Sequence, residues 1–237
     1  MKRPWRLYVI GLIFTAGLVA AALAVPQQRP NPQTFREQSR LWSVGREAQG
    51  LAEAFLGITT NGNVVSDLFE IRSTGVSTEP VREAAEAFLN VLNTEQRNQV
   101  LFDQDDIEWR KWANQHIYLR DGVSFEELND RQRSAAFTML GVSLSAKGLD
   151  LTRDIMRLNE TLGELNDDNF VEYGEWKYWI SIMGEPSRTE PWGWQLDGHH
   201  LNLNYFIIGD QVVMTPAFWG SEPAIATSGK HVGTAIL

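Results

Sequence analysis

The spacing of apolar residues along the chain changes twice. It opens with an uninterrupted apolar run from Leu7 to Leu23. From about Thr34 to Gly163, apolar positions then recur every three or four residues, as one face of a helix requires. Leu41, Val44, Ala48, Leu51 and Phe55 form one such stripe, Val81, Ala84, Ala85, Phe88 and Leu92 a second, and Ile155, Leu158 and Leu162 a third. Thr78 as N-cap and Pro80 in the first turn mark where the second helix should begin. Ser124 with Glu127 predicts a capping box. The hexapeptide Leu92-Asn93-Thr94-Glu95-Gln96-Arg97 returns 36 residues later as Leu128-Asn129-Asp130-Arg131-Gln132-Arg133. An Asn with Gln three residues on is a way to cap a helix, so the two copies predict two helix starts. A solenoid would need at least about three repeats.

From Tyr173 the period shortens to two. Aromatic and β-branched residues dominate between Gly and Pro, and five of the nine tryptophans fall between Trp176 and Trp219. Asp197-Gly198 and Gly209-Asp210 are both suited to two-residue hairpin turns. With those turns, Trp194 pairs with Leu201 and Phe206 with Val213. Alternation then places Trp192, Trp194, Leu196, His199, Leu201, Leu203, Tyr205, Ile207, Val212 and Met214 on one apolar face. The opposite face carries Gly193, Gln195, His200, Asn202, Asn204 and Thr215, followed by Phe206, Ile208 and Val213. The expected fold is therefore α+β: a helical N-terminal half packed on an antiparallel β-meander in the C-terminal half, one domain over residues 34–237.

Charge then identifies the opening run. Lys2, Arg3 and Arg6 precede it, and Ala22-Leu23-Ala24 ends it with the small-x-small pattern of a signal-peptidase site. Residues 1–24 read as a signal peptide; the alternative is a retained membrane anchor through residues 7–23. Both send the body across the membrane, to a secreted or periplasmic location. Residues 25–33 hold Pro26, Pro30 and Pro32 among Gln and Asn, a stiff linker. Lys plus Arg total 21 against 30 Asp plus Glu, a net charge of −9. That balance lacks the basic stripe of a nucleic-acid binder, and it leaves a membrane partner only through the N-terminal segment. There is no cysteine, which excludes disulfides, thiol catalysis and thiolate metal sites.

The stretch from Trp192 to Asn204, Trp-Gly-Trp-Gln-Leu-Asp-Gly-His-His-Leu-Asn-Leu-Asn, resembles the most recognisable segment of the domain of unknown function 3500 (DUF3500) family. The similarity continues from Thr215 to Ala224, and Gly184-Glu185-Pro186, Arg120-Asp121-Gly122-Val123 and Leu144-Ser145-Ala146-Lys147-Gly148 are also similar. The resemblance implies an exported protein of a family without an established activity. It also implies a domain that continues beyond Leu237, so that the C-terminus here is incomplete.

The candidate chemistry is sparse. The histidines are His116, His199, His200 and His231. Adjacent strand residues point to opposite faces, so His199 and His200 should not share a metal; no metal site is expected unless a bulge intervenes and His231 or Glu185 folds over. His199 reads as a hydrogen-bonded core residue. No Gly-x-Ser-x-Gly elbow, P-loop or dinucleotide fingerprint occurs, and no cofactor is specified. Asp103, Asp105, Asp106 and Glu108 read as a solvated helix start. Most of the sheet tryptophans read as core, with a ligand-stacking surface as the alternative. The expected ligand-binding residues are Gln195, His200, Asn202, Asn204 and Thr215, a polar cluster in a sheet, with Gly193 leaving room beside them. The leading function is an exported module that binds a small polar ligand or has a structural role. The alternative is a hydrolase-like enzyme with His200 as catalytic base and Asn202 or Asn204 holding an oxyanion.

Overall fold

A computed structural model describes residues 32–54, 63, 65 and 72–236. Residues 1–31, with the expected signal segment, and Phe55 lie outside the described residues. In chain order the elements are α1 (Pro32–Leu51), α2 (Glu79–Val91), α3 (Thr94–Val100), β1 (Leu101–Phe102), a 3-10 turn (Ile107–Arg110), β2 (Val123–Ser124), α4 (Asp130–Ser143), α5 (Ala146–Leu165), β3 (Tyr178–Met183), β4 (Trp192–Gly198), β5 (Leu201–Ile208), β6 (Gln211–Val213) and β7 (Ala217–Trp219). The fold is α+β, with helices leading and the sheet following. No described helix is long and apolar enough to cross a membrane.

The sheet is a β3-β4-β5 antiparallel meander whose two outer edges are each covered by a pair of short strands. Parallel β1 and antiparallel β2 share the free edge of β3, and β6 and β7 share that of β5. Short edge strands limit the unpaired backbone that would recruit another chain. The core face carries Tyr178, Ile180, Ile182, Trp192, Trp194, Leu196, Leu201, Leu203 and Ile207, all fully buried, against Val81, Ala85 and Phe88 of α2, Met139 and Leu140 of α4, and Ile155 and Met156 of α5. Trp194 stacks on Tyr205 across the strand pair, ring centroids 4.9 Å apart.

The repeated hexapeptides do cap two helices. Asn93 and Gln96 close a capping box at α3, and Asn129 and Gln132 close one at α4. Tertiary structure adds a reciprocal contact. The Gln132 amide donates to Gln96 Oε1 at 2.7 Å and to the Val91 carbonyl at 3.0 Å, while Gln96 donates to the Glu127 carbonyl at 3.0 Å. The two motifs thus satisfy each other in the interior.

Several expectations change. In the first helical stripe Leu41 and Val44 are exposed, while Ser39 and Ser43 of the same helix are buried. This helix docks through polar and aromatic contacts: Leu119 N–H donates to Ser43 Oγ at 2.7 Å, Tyr118 Oη to Glu47 at 2.9 Å, and Trp42 meets Tyr118 edge-on. Thr78 stands at the N-cap of α2 but donates to the Gly209 carbonyl at 2.6 Å, so it holds the β5–β6 turn instead of capping. Ser124 and Glu127 make their reciprocal bonds, Ser124 N–H to Glu127 at 3.0 Å and Glu127 N–H to Ser124 Oγ at 3.4 Å, but around a turn; the helix waits until Asp130. Val212 and Met214 are exposed at the sheet edge instead of joining the apolar face.

The Gly209-Asp210 hairpin has the expected register, Ile208 with Gln211 and Phe206 with Val213. The first hairpin turns two residues later than expected, at His199-His200, so that Trp194 pairs with Tyr205 and Asp197 with Asn202. Moving a turn by two residues preserves alternation, which is why the apolar face survives. Two contacts displace the turn. A side chain on Gly198 would run into the Tyr178 ring, so Gly198 belongs in the strand. Asp197 is drawn into the sheet by Arg120, its partner at 3.2 Å.

Candidate functional site

Beneath the core face lies a second buried face. It carries Gln195, Asp197, Asn202 and Asn204, exposed by 2, 4, 2 and 5%. The cover is the segment 103–122, which has little regular structure and so presents free carbonyls. Gln195 donates to Asn204 Oδ1 at 2.8 Å and to the Glu108 carbonyl at 3.4 Å. Asn204 donates to the Trp109 carbonyl at 3.1 Å, and Asn202 to those of Ala113 and Gly198 at 3.2 Å each, and to Asp197. The buried Arg120 guanidinium reaches Asp197 and the carbonyls of Ala113, Gln115 and Tyr118. Burial pushes the Asp197 carboxyl up to about 6 against the pull of Arg120. Glu108, expected to be solvated, is 2% exposed; burial and then the charge of Asp121 push it up to about 8 although Lys111 lies 3.3 Å away. Asp106, from the same acidic run, does cap the 3-10 turn, accepting from Glu108 N–H at 2.8 Å.

The structure therefore brings Gln195, Asn202 and Asn204 together but engages their amides with the protein's own carbonyls. The hydrolase alternative would need Asn202 or Asn204 to leave those bonds. Thr215 is exposed and outside the strands. The room left by Gly193 is filled by the Tyr205 carbonyl and the Trp109 ring. His200 is at the turn, apart from the strand face assigned to it.

At that turn three histidines gather. His199 stacks on His200 with ring centroids 4.1 Å apart, and His116 meets His199 edge-on at 5.3 Å, with Tyr173 packed against both His116 and His199. His200 has φ 59, so strand alternation ends there and both rings fall on one side. His199 Nδ1 lies 2.9 Å from Asn159 Oδ1. The Asn159 amide donates to the Gly174 carbonyl at 2.8 Å, so its oxygen faces His199 as an acceptor. Nδ1 then carries the proton, and Nε2 keeps its lone pair. Burial first, then the neighbouring His200, His116 and Arg120, pull the His199 pKa down to about 3; burial also lowers that of His116. His116 Nε2 pairs with Glu172 at 3.3 Å, and His200 Nε2 lies 3.7 Å from Glu222.

His116 and His199 line a cleft of about 700 Å³. Its walls include Phe35 and Ser39 of α1, Tyr118, Arg120, Asn159 and Trp179. The Ser39 hydroxyl is buried and has no hydrogen-bond partner. Trp179 faces this cleft with the Arg120 guanidinium 5.5 Å from its ring, whereas Trp192 and Trp194 are core. Among the described residues, His199, His200 and Glu222 are grouped closely enough to hold a metal ion. His231 pairs instead with Glu175 at 3.0 Å, and Glu185 lies beside Gln104 and Gly184. Pattern reading missed Arg120, Asn159, Glu172 and Glu222, which have no shared spacing. Arg120 and Glu222 do stand in the stretches that carry the family resemblance.

Residues 74–237 match the sequence profile of a family described as protein of unknown function (DUF3500). No curated protein and no solved structure matches the chain.

Proposed function

We propose that this chain, which belongs to the DUF3500 family, works as an exported module that binds a small, uncharged polar molecule in the cleft between α1 and the His199-His200 turn. The observation that carries this reading is the composition of the cleft. Two imidazoles whose pKa values burial lowers and an unpartnered Ser39 hydroxyl line a space of about 700 Å³, within the range that encloses small ligands. Four carboxylates and four cationic side chains also line it, so neither sign dominates and a strongly charged ligand gains little. Tyr118 and Trp179 offer flat apolar surface beside these polar groups. Export is supported by Lys2, Arg3 and Arg6, the apolar run after them, and Ala22-Leu23-Ala24.

A panel of uncharged sugars, nucleosides and amides, titrated into the full chain and followed by thermal unfolding and tryptophan fluorescence, tests the binding. A ligand at about 100 times its Kd should stabilise the fold by about 2.7 kcal/mol. Trp179→Phe should remove the fluorescence change and Trp219→Phe should keep it. A panel without effect, or a response that both variants retain, would count against the cleft. Fractionation with N-terminal sequencing tests export, and a cytosolic product that retains Met1 would refute it.

A further inference from the structure

The geometry points to a divalent transition-metal site of the zinc class at the β4–β5 turn, with His199, His200 and Glu222 as its ligands. It goes beyond the small-molecule reading, with which it shares His199. One ligand-capable atom from each of the three lies within 4.8 Å of the others. Bonds of roughly 2.1 Å in a tetrahedral shell place ligand atoms roughly 3.4 Å apart, so side-chain shifts of about 1 Å would close the site. Glu222, with 67% of its side chain exposed, and His200, with 28%, have room for those shifts. His199 is the fixed member.

The backbone is organised for this purpose on both sides of the turn. His200 at φ 59 occupies a conformation that favours Gly or Asn, and it is held there by two bonds. Its N–H donates to the Asn114 carbonyl at 3.0 Å, and its carbonyl accepts from Gly220 N–H at 2.8 Å. The second bond ties the turn to the segment that delivers Glu222 two residues later. Behind the site, Asn159 accepts from His199 Nδ1–H and is itself oriented by the Gly174 carbonyl. This outer contact presents Nε2 of a ligating histidine to a metal. The donor set of two imidazoles and one carboxylate selects zinc-like ions over calcium or magnesium, which favour oxygen throughout. Three protein ligands leave a fourth position for water or a bound molecule.

The test uses the full chain, stripped with a chelator and titrated with zinc chloride by calorimetry, then with cobalt(II) for the intense visible absorption of a tetrahedral site. One ion per chain is expected. His200→Asn keeps a residue suited to φ 59, and Glu222→Gln alters an exposed side chain, so the latter decides the matter even if the former folds poorly. Each should weaken binding at least about tenfold, while His231→Asn leaves it unchanged. Absence of saturable binding, equal binding by Glu222→Gln, or an equal loss in His231→Asn would overturn the assignment.

Discussion

The two faces of β4 and β5 are buried to nearly the same depth by opposite means. Trp192, Trp194 and Leu196 are fully buried among apolar side chains, and Gln195 and Asn202 are 2% exposed among carbonyls of the segment 103–122. Apolar burial is non-directional, so any register of the right parity satisfies the first face. Hydrogen bonds are directional, and a buried polar group left unpaired is costly, so the second face accepts few arrangements. The core face holds the sheet to the helices, while the polar face selects the register and pins the loop that carries His116 to the turn that carries His199 and His200.

Substitutions on the two faces test this division. Trp194→Ala should have the largest effect, about 3–5 kcal/mol of stability in denaturant unfolding, because it empties a fully buried site. A loss below about 1 kcal/mol would mean that the core face is not the main anchor. Arg120→Met should cost nearly as much, about 3–5 kcal/mol, by leaving Asp197 buried without its cation. Adding Asp197→Asn should recover part of that loss, and a double variant no better than the single would place the cost in the lost carbonyl contacts instead.

Asn204→Ala should cost less, about 1–3 kcal/mol, since it strips one partner from the Trp109 carbonyl and one from Gln195. Hydrogen exchange should show the loosening in the segment 103–122 and not in α2 or α4; uniform loosening would contradict the division of labour.

The smallest effect is in the pH dependence. A carboxyl whose pKa is raised in the folded state contributes stability that is fully present below its ordinary value, 4.5 for Glu108, and is lost progressively as pH climbs from there through the folded value. Glu108, raised to about 8, therefore makes the protein lose stability as pH rises toward 8, and Asp197, raised to about 6, acts the same way lower down. His199, lowered to about 3, has the opposite sign: its contribution is lost as pH falls below the ordinary imidazole value of 6.5. Between about 6.5 and 8, Glu108 dominates, so stability should fall across that interval and Glu108→Gln should flatten the slope. An unchanged slope would remove Glu108 from the polar face's electrostatics.

Features that depend on near neighbours follow from the residues alone. Asn93 with Gln96, Asn129 with Gln132, and the Gly209-Asp210 turn form as their residues dictate, since each needs partners only a few positions away. The apolar face from Trp192 to Ile207 was legible for a related reason: alternation assigns faces without knowledge of what packs against them. The other features depend on segments far apart in the chain. Gly198 stays in the strand because the Tyr178 ring lies over it, and Asp197 because Arg120 does. Gln195, Asn202 and Asn204 look like an open polar site until the segment 103–122 covers them, with Asn204 bonded to a residue 95 positions away. Leu41 and Val44 keep helical spacing yet face outward because α1 docks through Ser43 and Glu47. The cluster of His116, His199, His200 and Glu222 arises from three segments that meet at one turn. Local pattern fixes conformation, but what a side chain faces depends on distant segments whose approach is set by the whole hydrogen-bonded and packed interior.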